Sequence, residues 1–212
     1  MLAGIHFQWI NDNGEMLERI LSTKKPFVGF VVPGLLNKTL KNNGKEVFGR
    51  VYPEGNYYPQ WLIDVFKEEV ENSNIMWAQE GMFHYCESCF EQFEKNGGRE
   101  KDPAPDPFHE HVCVYDGKEQ DLEEQLKSIR EGKIVISDLT GIVPKVYCPP
   151  NHLHNDNTLL AARNLGFEYF TTRNLVGLSC YKNPDTGLVV LPEAKIGEKY
   201  EESSPIIYGT YI

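Results

Sequence analysis

Residues 145–166, which read KVYCPPNHLHNDNTLLAARNLG, decide the fold. The stretch begins with a short apolar run typical of a buried strand, and Pro149 and Pro150 end that strand because proline cannot donate to a β-ladder. Residues 159–165 follow as a helix that Gly166 closes. The stretch is therefore a strand, a tight turn and a helix, which is the repeating unit of parallel α/β sheets.

The same alternation of strands and helices extends over the rest of the chain. The clearest helix is predicted from Asp116, which forms a capping-box-like pair with Glu119, to a stop at Gly141. We predict one domain over residues 1–212, built on a mostly parallel sheet. The expected strands are Ala3–Trp9, Phe27–Val32, Ile75–Ala78, Lys145–Cys148, Phe167–Thr172 and Gly187–Leu191.

Two stretches interrupt this alternation. Residues 38–58 are rich in Asn, Gly, Lys and Tyr, and residues 95–108 read KNGGREKDPAPDPF. Long loops in compact domains are usually functional or disordered, so we predict an insertion or loop at residues 92–115. Residues 95–106 should be more mobile than the helix at 122–139, because they have little apolar material to bury.

Composition and charge limit the classes of partner. The chain has 212 residues, 41% of them hydrophobic, and a formal net charge of -10, which disfavours nucleic acid and anionic membrane as main partners. The N-terminus shows no secretory signal pattern, and no apolar run reaches the ~20 residues of a membrane span. We therefore expect a cytoplasmic protein that binds a small molecule or a carbohydrate, with its five cysteines reduced and its oligomeric state open.

The segment from Asp121 to Arg173 resembles the polysaccharide deacetylases, carbohydrate esterase family 4. In that family a strand ends in a Pro-Pro turn, and a helix ending in Leu-Gly follows it. The resemblance implies an α/β fold that is a distorted (β/α) barrel of about seven mostly parallel strands, with its site at the C-terminal ends of the strands. The matching residues are Pro149, Pro150, Asn155, Thr158, Leu159, Leu165 and Gly166.

The resemblance also implies a chemistry, which is metal-dependent hydrolysis of the N-acetyl group of polymeric amino sugars. An aspartate and two histidines hold the metal, a second aspartate is the general base, and a late histidine protonates the leaving amine. In this chain Gln8 and Trp9 stand at the aspartate positions, and Pro192 stands at the late histidine. We therefore assign no catalytic residue.

The resemblance nevertheless defines a candidate site at one end of the barrel. Glu80 and His84 occupy the two metal-histidine positions, so they are the expected anchors of a divalent metal, with zinc favoured. The third ligand would come from one of the histidines at 111, 152 and 154. The residues expected to bind substrate are Trp9, Cys148 and Asn151.

Three interpretations of the histidines and cysteines stay open. They could rebuild the active-site metal, or Cys86 and Cys89 could hold a separate structural zinc with two residues from His109–Cys113. They could also be reduced thiols and loop histidines with no metal. The corresponding functions are a hydrolase of an N-acetylated sugar or other small amide, and an inactive carbohydrate- or ligand-binding protein on the same scaffold.

Overall fold

A computed structural model of the chain describes residues 2–7, 14–36, 58–84, 86–95, 109–173, 179–195 and 207–211. Trp9 lies outside these residues, and so do residues 38–57 of the first irregular stretch and residues 96–106 of the segment predicted to be mobile. Among the described residues, no helix combines the length and the apolar character needed to cross a membrane.

The strands form a ring of parallel pairings. β1, β2, β3, β4, β5, β7 and β8 follow one another in chain order, and β8 pairs back onto β1. The short β6 pairs antiparallel to β7 and stands outside the ring. The predicted (β/α) barrel of about seven strands is confirmed. The bounds are β1 Leu2–His6, β2 Phe27–Val31, β3 Ile75–Glu80, β4 Val146–Cys148, β5 Tyr169–Arg173, β6 Tyr181–Lys182, β7 Val189–Lys195 and β8 Ile207–Tyr211.

Helices connect most of these strands. A 3₁₀ turn at Pro150–His152 follows β4 and corresponds to the Pro-Pro turn of the sequence. The next helix begins after Asn155, whose side chain accepts the Thr158 N–H in a capping box. The helices are α1 Glu15–Ser22, α2 Pro33–Leu36, α3 Gln60–Glu68, α4 Glu87–Lys95, α5 Leu122–Thr140 and α6 Asp156–Asn164.

The long helix α5 begins later than the sequence pattern predicts. The capping box is formed by Asp121 and Glu124, and Gly141 ends the helix at φ 81° as expected. The predicted cap at Asp116 is wrong, because Asp116 lies in a turn and its carboxylate accepts the Lys118 N–H. Glu119 is drawn instead into an antiparallel bridge with Val112, so residues 109–120 form a hairpin-like segment that we call the 109–120 hairpin.

Side-chain alternation along the strands separates two environments. Val28, Ala78 and Val146 share one cluster with Cys148 and Leu191, which we assign to the barrel interior. Trp77, one residue from Ala78, packs in the outer cluster under the helices. The same alternation places the last inward residues of β1, β3 and β4 together at the C-terminal end of the barrel.

Helix α5 approaches the sheet most closely at Gly132. The buried Gln79 Nε2 donates to the carbonyls of Gly81 and Ile129, each at 3.0 Å, and so ties the end of β3 to this helix. A Cβ atom at Gly132 would lie 2.3 Å from Gln79 Nε2 and 2.9 Å from Pro33 Cγ. Because glycine has no side chain, helix α5 can pack this closely against Gln79 and Pro33.

Gly132→Ala tests this contact. Alanine is intrinsically better in a helix by about 1 kcal/mol, but the clash with Gln79 and Pro33 should outweigh that gain. We expect the free energy of unfolding to fall by about 1–3 kcal/mol, measured by denaturant unfolding. Glu131→Ala, at the exposed neighbouring position, is the control and should change it by less than about 0.5 kcal/mol. A stabilised Gly132→Ala variant would contradict the contact.

Candidate functional site

Five ionisable side chains form a continuous chain of contacts at the C-terminal end of the barrel. His6 Nδ1 lies 3.1 Å from both carboxylate oxygens of Glu80, and His6 Nε2 lies 2.6 Å from Glu193 Oε1. His84 Nε2 extends the chain at one end, 3.3 Å from Glu80 Oε1. His152 Nε2 extends it at the other end, 3.6 Å from Glu193 Oε2. We call this set the mouth network.

The position of each member follows from the strand it ends or follows. His6 and Glu80 are the last residues of β1 and β3, and the parallel register places the C-terminal ends of β1, β2 and β3 side by side. Glu193 lies within β7, which one strand, β8, separates from β1, and its carboxylate reaches His6 from there. The His6 ring also stacks flat on Phe30, with centroids 4.1 Å apart.

The mouth network is buried, and its charges depend on one another. Burial disfavours the His6 imidazolium, but the carboxylates of Glu193 and Glu80 outweigh burial and raise the pKa of His6 to about 10. Burial alone would raise the pKa of Glu80, yet the charge and hydrogen bonds of His6 hold it far below its ordinary range. His6 is therefore an imidazolium between two carboxylates at neutral pH.

Beside this network lies a group of donors suited to a metal. The side-chain ligand atoms of Cys148, His152 and Glu193 all lie within 4.8 Å of one another. Within the part of the chain that the structure describes, Glu193 Oε2 is buried without a hydrogen-bond partner. The Cys148 thiol contacts the Pro149 carbonyl at 3.6 Å. Sulfur, nitrogen and oxygen donors converging in this way fit a divalent first-row ion such as zinc.

Protonation would be coupled to metal binding here. Burial, followed by the Glu80 and Glu193 carboxylates, raises the pKa of the Cys148 thiol well above its ordinary value. Burial also lowers the pKa of His152, which keeps that imidazole neutral and able to ligate. Binding of a cation by Cys148 would therefore release a proton.

The structure brings some of the sequence-predicted residues together and separates others. Glu80, His84, Cys148 and His152 meet at the mouth, with Asn151 half-buried in the 3₁₀ turn beside them. His154 Nδ1 bonds the His152 carbonyl, and its ring packs against Phe170.

His111 has both ring nitrogens engaged by protein groups. Nδ1 lies 3.0 Å from Gln120 Oε1, and Nε2 bonds the Tyr147 hydroxyl. Binding a metal through His111 would require one of these bonds to break. Trp9 lies outside the described residues, and its predicted place in the substrate pocket stays a prediction.

Sequence reasoning missed two central residues, His6 and Glu193. His6 belongs to the strand predicted at 3–9, but the resemblance directed attention to the two positions after Phe7. Glu193 follows Pro192, the position matched to the family's late histidine. The sequence does contain a signal for both residues. An ionisable residue at the end of an apolar strand is a candidate for a site residue that faces the barrel interior.

The backbone around the mouth is held in unusual conformations. Among the described residues other than glycine, positive φ values occur at Lys24, His84, Asn151 and His152, and the last three lie at the mouth with φ of 55°, 50° and 59°. Such conformations cost free energy and persist where the surroundings over-determine them, most often at functional sites.

Glu110 is the group that holds the loop carrying His84. Its Oε2 accepts the backbone N–H groups of Met82, Phe83 and His84 at 2.7, 3.1 and 3.0 Å, and its Oε1 accepts the Ser128 hydroxyl. Gly81 lets the chain turn beneath this carboxylate, because a Cβ there would lie 2.4 Å from Glu110 Oε2. The 109–120 hairpin therefore shapes the mouth directly.

Solved structures with the same fold identify the scaffold. No protein-family profile and no curated protein sequence matches this chain. Its barrel has the fold of solved de-N-acetylase and deacetylase structures, in agreement with the fold that the resemblance implies.

Three solved structures share the fold of this chain at low sequence identity. The de-N-acetylase of Aggregatibacter actinomycetemcomitans is 11% identical, with TM-score 0.56 and coverage of 83% of this chain and 64% of that one. The deacetylase PplD of Streptococcus pyogenes, in complex with acetate, is 9% identical, with TM-score 0.53 and coverage of 89% and 62%. The BpsB deacetylase domain of Bordetella bronchiseptica is 12% identical, with TM-score 0.57 and coverage of 100% and 72%. The chain thus spans less than two thirds of the length of the first two.

Glu110→Gln tests the role of this carboxylate in the mouth loop. An amide oxygen accepts three N–H groups less well than a charged carboxylate, and its NH₂ group faces a donor. We expect the free energy of unfolding to fall by about 1.5–3 kcal/mol in denaturant unfolding. Glu119→Gln, which alters an exposed glutamate bonded to Asn155, is the control and should change it by less than about 0.5 kcal/mol. Equal effects of the two variants would refute the role of Glu110.

Proposed function

We propose that this chain is a diverged deacetylase-like hydrolase that uses a divalent metal, preferentially zinc, to cleave an N-acetylated sugar or another small amide. The metal ligands are Cys148, His152 and Glu193. The observation that carries this proposal is the convergence of these three donor atoms within 4.8 Å at the C-terminal end of the barrel. Three protein ligands with one open position form the usual arrangement of a catalytic zinc site.

A bound zinc ion would polarise the amide carbonyl and lower the pKa of a water molecule. The remaining steps belong to the protein. His6 holds Glu193 Oε1 at 2.6 Å and so leaves Oε2 directed toward His152. The metal-binding oxygen is thereby oriented before any ligand arrives, as second-shell partners do in metal sites.

The pair of Glu80 and His84 is suited to move a proton. A carboxylate oxygen 3.3 Å from an imidazole nitrogen orients the ring. In this proposal His84 gives a proton to the leaving amine, in place of the late histidine that Pro192 replaces. Glu110 holds the backbone of His84 in position through its hydrogen bond to that residue's N–H.

The solved structures with this fold support an amide substrate. They are a de-N-acetylase and deacetylases. An N-acetyl group is a neutral amide, and its cleavage gives acetate and an amine.

The second candidate is a non-catalytic ligand-binding protein on the same scaffold. The observation in its favour is that both mouth carboxylates already pair with His6, while Gln8 and Trp9 occupy the positions of the family's two aspartates. A ligand would then be held at the mouth without bond cleavage.

Metal content and acetate release separate the two candidates. The purified chain should hold one equivalent of zinc at the mouth, and release acetate from N-acetylglucosamine oligomers or from a small acetylated amide. We expect the zinc affinity to fall in each of three variants, Cys148→Ser, His152→Ala and Glu193→Gln. The fall should exceed the ~10–100-fold that loss of an outer-shell partner costs. Cys180→Ser, outside the mouth, is the matched control and should change neither quantity.

His84→Ala tests the ligand assignment. It should abolish acetate release and keep the metal, because His84 acts on the proton and does not ligate. If His84→Ala loses the metal while His152→Ala keeps it, the anchors are Glu80 and His84, as the family positions predict. Zinc binding without any hydrolysis across these substrates would favour the ligand-binding protein.

A further inference from the structure

Three of the five cysteines meet away from the ligands of the mouth. Cys86 and Cys89 flank the start of helix α4, and Cys113 lies in the 109–120 hairpin. The Sγ atoms of Cys86, Cys89 and Cys113 all lie within 4.8 Å of one another, and those of Cys89 and Cys113 are 3.5 Å apart. Cys89 and Cys113 are 24 residues apart in the chain, so tertiary structure has brought them together.

The local backbone favours a thiolate at Cys86. The Cys89 N–H donates to Cys86 Sγ at 3.5 Å, and Cys86 directly precedes α4, whose N-terminus stabilises negative charge. Cys89 and Cys113 are buried and Cys86 is half-buried, so the cluster is enclosed on one side and open on the other. A metal ion could therefore enter, and its sulfur ligands would be shielded once it was bound.

A disulfide would explain the cluster less well. A disulfide bond joins two sulfurs at about 2.05 Å and would leave the third thiol without a role. Three sulfurs arranged around one point match a tetrahedral thiolate site, in which each sulfur lies at about 2.3 Å from zinc. The fourth ligand would come from the open side of the cluster, beside the half-buried Cys86.

We propose that Cys86, Cys89 and Cys113 form a second metal site that binds zinc through three thiolates and has a structural role. This site is independent of the proposed function at the mouth. It would join α4 to the 109–120 hairpin, which are the two described segments on either side of residues 96–108. Because Glu110 of the same hairpin holds the backbone of residues 82–84, the ion would also stabilise the loop that carries His84.

Cobalt substitution in the full-length Cys148→Ser chain tests this site. The Cys148→Ser change removes the only thiol of the proposed mouth ligands, so any remaining cobalt–thiolate absorption belongs to another site. We expect one equivalent of Co²⁺ to bind with thiolate charge-transfer absorption and the visible bands of tetrahedral cobalt, and Zn²⁺ to displace it. Adding Cys89→Ser or Cys113→Ser should abolish the absorption, and adding Cys180→Ser, the matched control, should leave it unchanged.

A second measurement avoids variants that fail to fold. The Cys148→Ser chain retains Cys86, Cys89, Cys113 and Cys180, and Zn²⁺ should protect the first three from alkylation while Cys180 reacts. Chelation should lower the thermal midpoint by about 5 °C or more, because structural zinc contributes directly to folding.

Three results would overturn the proposal. One is the absence of thiolate–cobalt absorption in the folded Cys148→Ser chain. Another is absorption that survives Cys113→Ser. The third is a Cys89–Cys113 disulfide, detected by mass spectrometry, in a chain that binds no metal after reduction. None of these results bears on acetate release or on the zinc held by Cys148, His152 and Glu193, so the two proposals fail separately.

Discussion

An imidazolium held between two buried carboxylates is the interaction on which the mouth of this barrel depends. His6 joins Glu80 on one side and Glu193 on the other, so one side chain connects β1, β3 and β7. All three residues are at most 5% exposed, where an unpaired charge would cost several kcal/mol. Removing His6 would leave two buried carboxylates without the cation that lies between them. The mouth network therefore fixes the positions of β1, β3 and β7 relative to one another at this end of the barrel.

The environment of this network makes its geometry strict. Phe30 covers one face of the His6 ring, and Ala78 and Val146 belong to the apolar cluster of the barrel interior. Water cannot substitute for a misplaced carboxylate in such surroundings, so each charge must be met by a protein group. This requirement also explains why Glu110, also buried, is used to hold the strained loop of His84 through three backbone N–H groups.

The donors around this network differ from those that the family resemblance implies. The resemblance implies a histidine at the position of Glu80 and an arginine at the position of Cys148. Glu193 directly follows Pro192, which stands at the position of the late histidine. The scaffold is retained because packing, caps and turns maintain it, as at Pro149, Pro150 and the Asn155 capping box. The chemistry of the mouth is set by a few strand-end side chains, which can change without disturbing that packing.

The sequence by itself determined the strand–helix alternation, the barrel class and the end of the barrel that carries polar residues. The alternation follows from local signals, such as the proline stop after Cys148 and the glycine stops at 141 and 166. The barrel class and its polar end were implied by the resemblance of residues 121–173 to the polysaccharide deacetylases. Local signals also misled at Asp116, where a cap pattern is overridden because Glu119 pairs with Val112 in the hairpin. The parallel order of the strands follows from the same alternation, since crossover helices leave little choice.

Only the tertiary structure decided which side chains meet. His6 and Glu193 are 187 residues apart, and Cys89 and Cys113 belong to different segments, so no spacing rule relates either pair. Ring closure leaves only β8 between β7, which carries Glu193, and β1, which carries His6. The 109–120 hairpin brings Cys113 to Cys89 of α4. The physical reason is that hydrophobic period and capping act over a few residues, whereas a site is assembled by strand register and barrel closure over the whole chain.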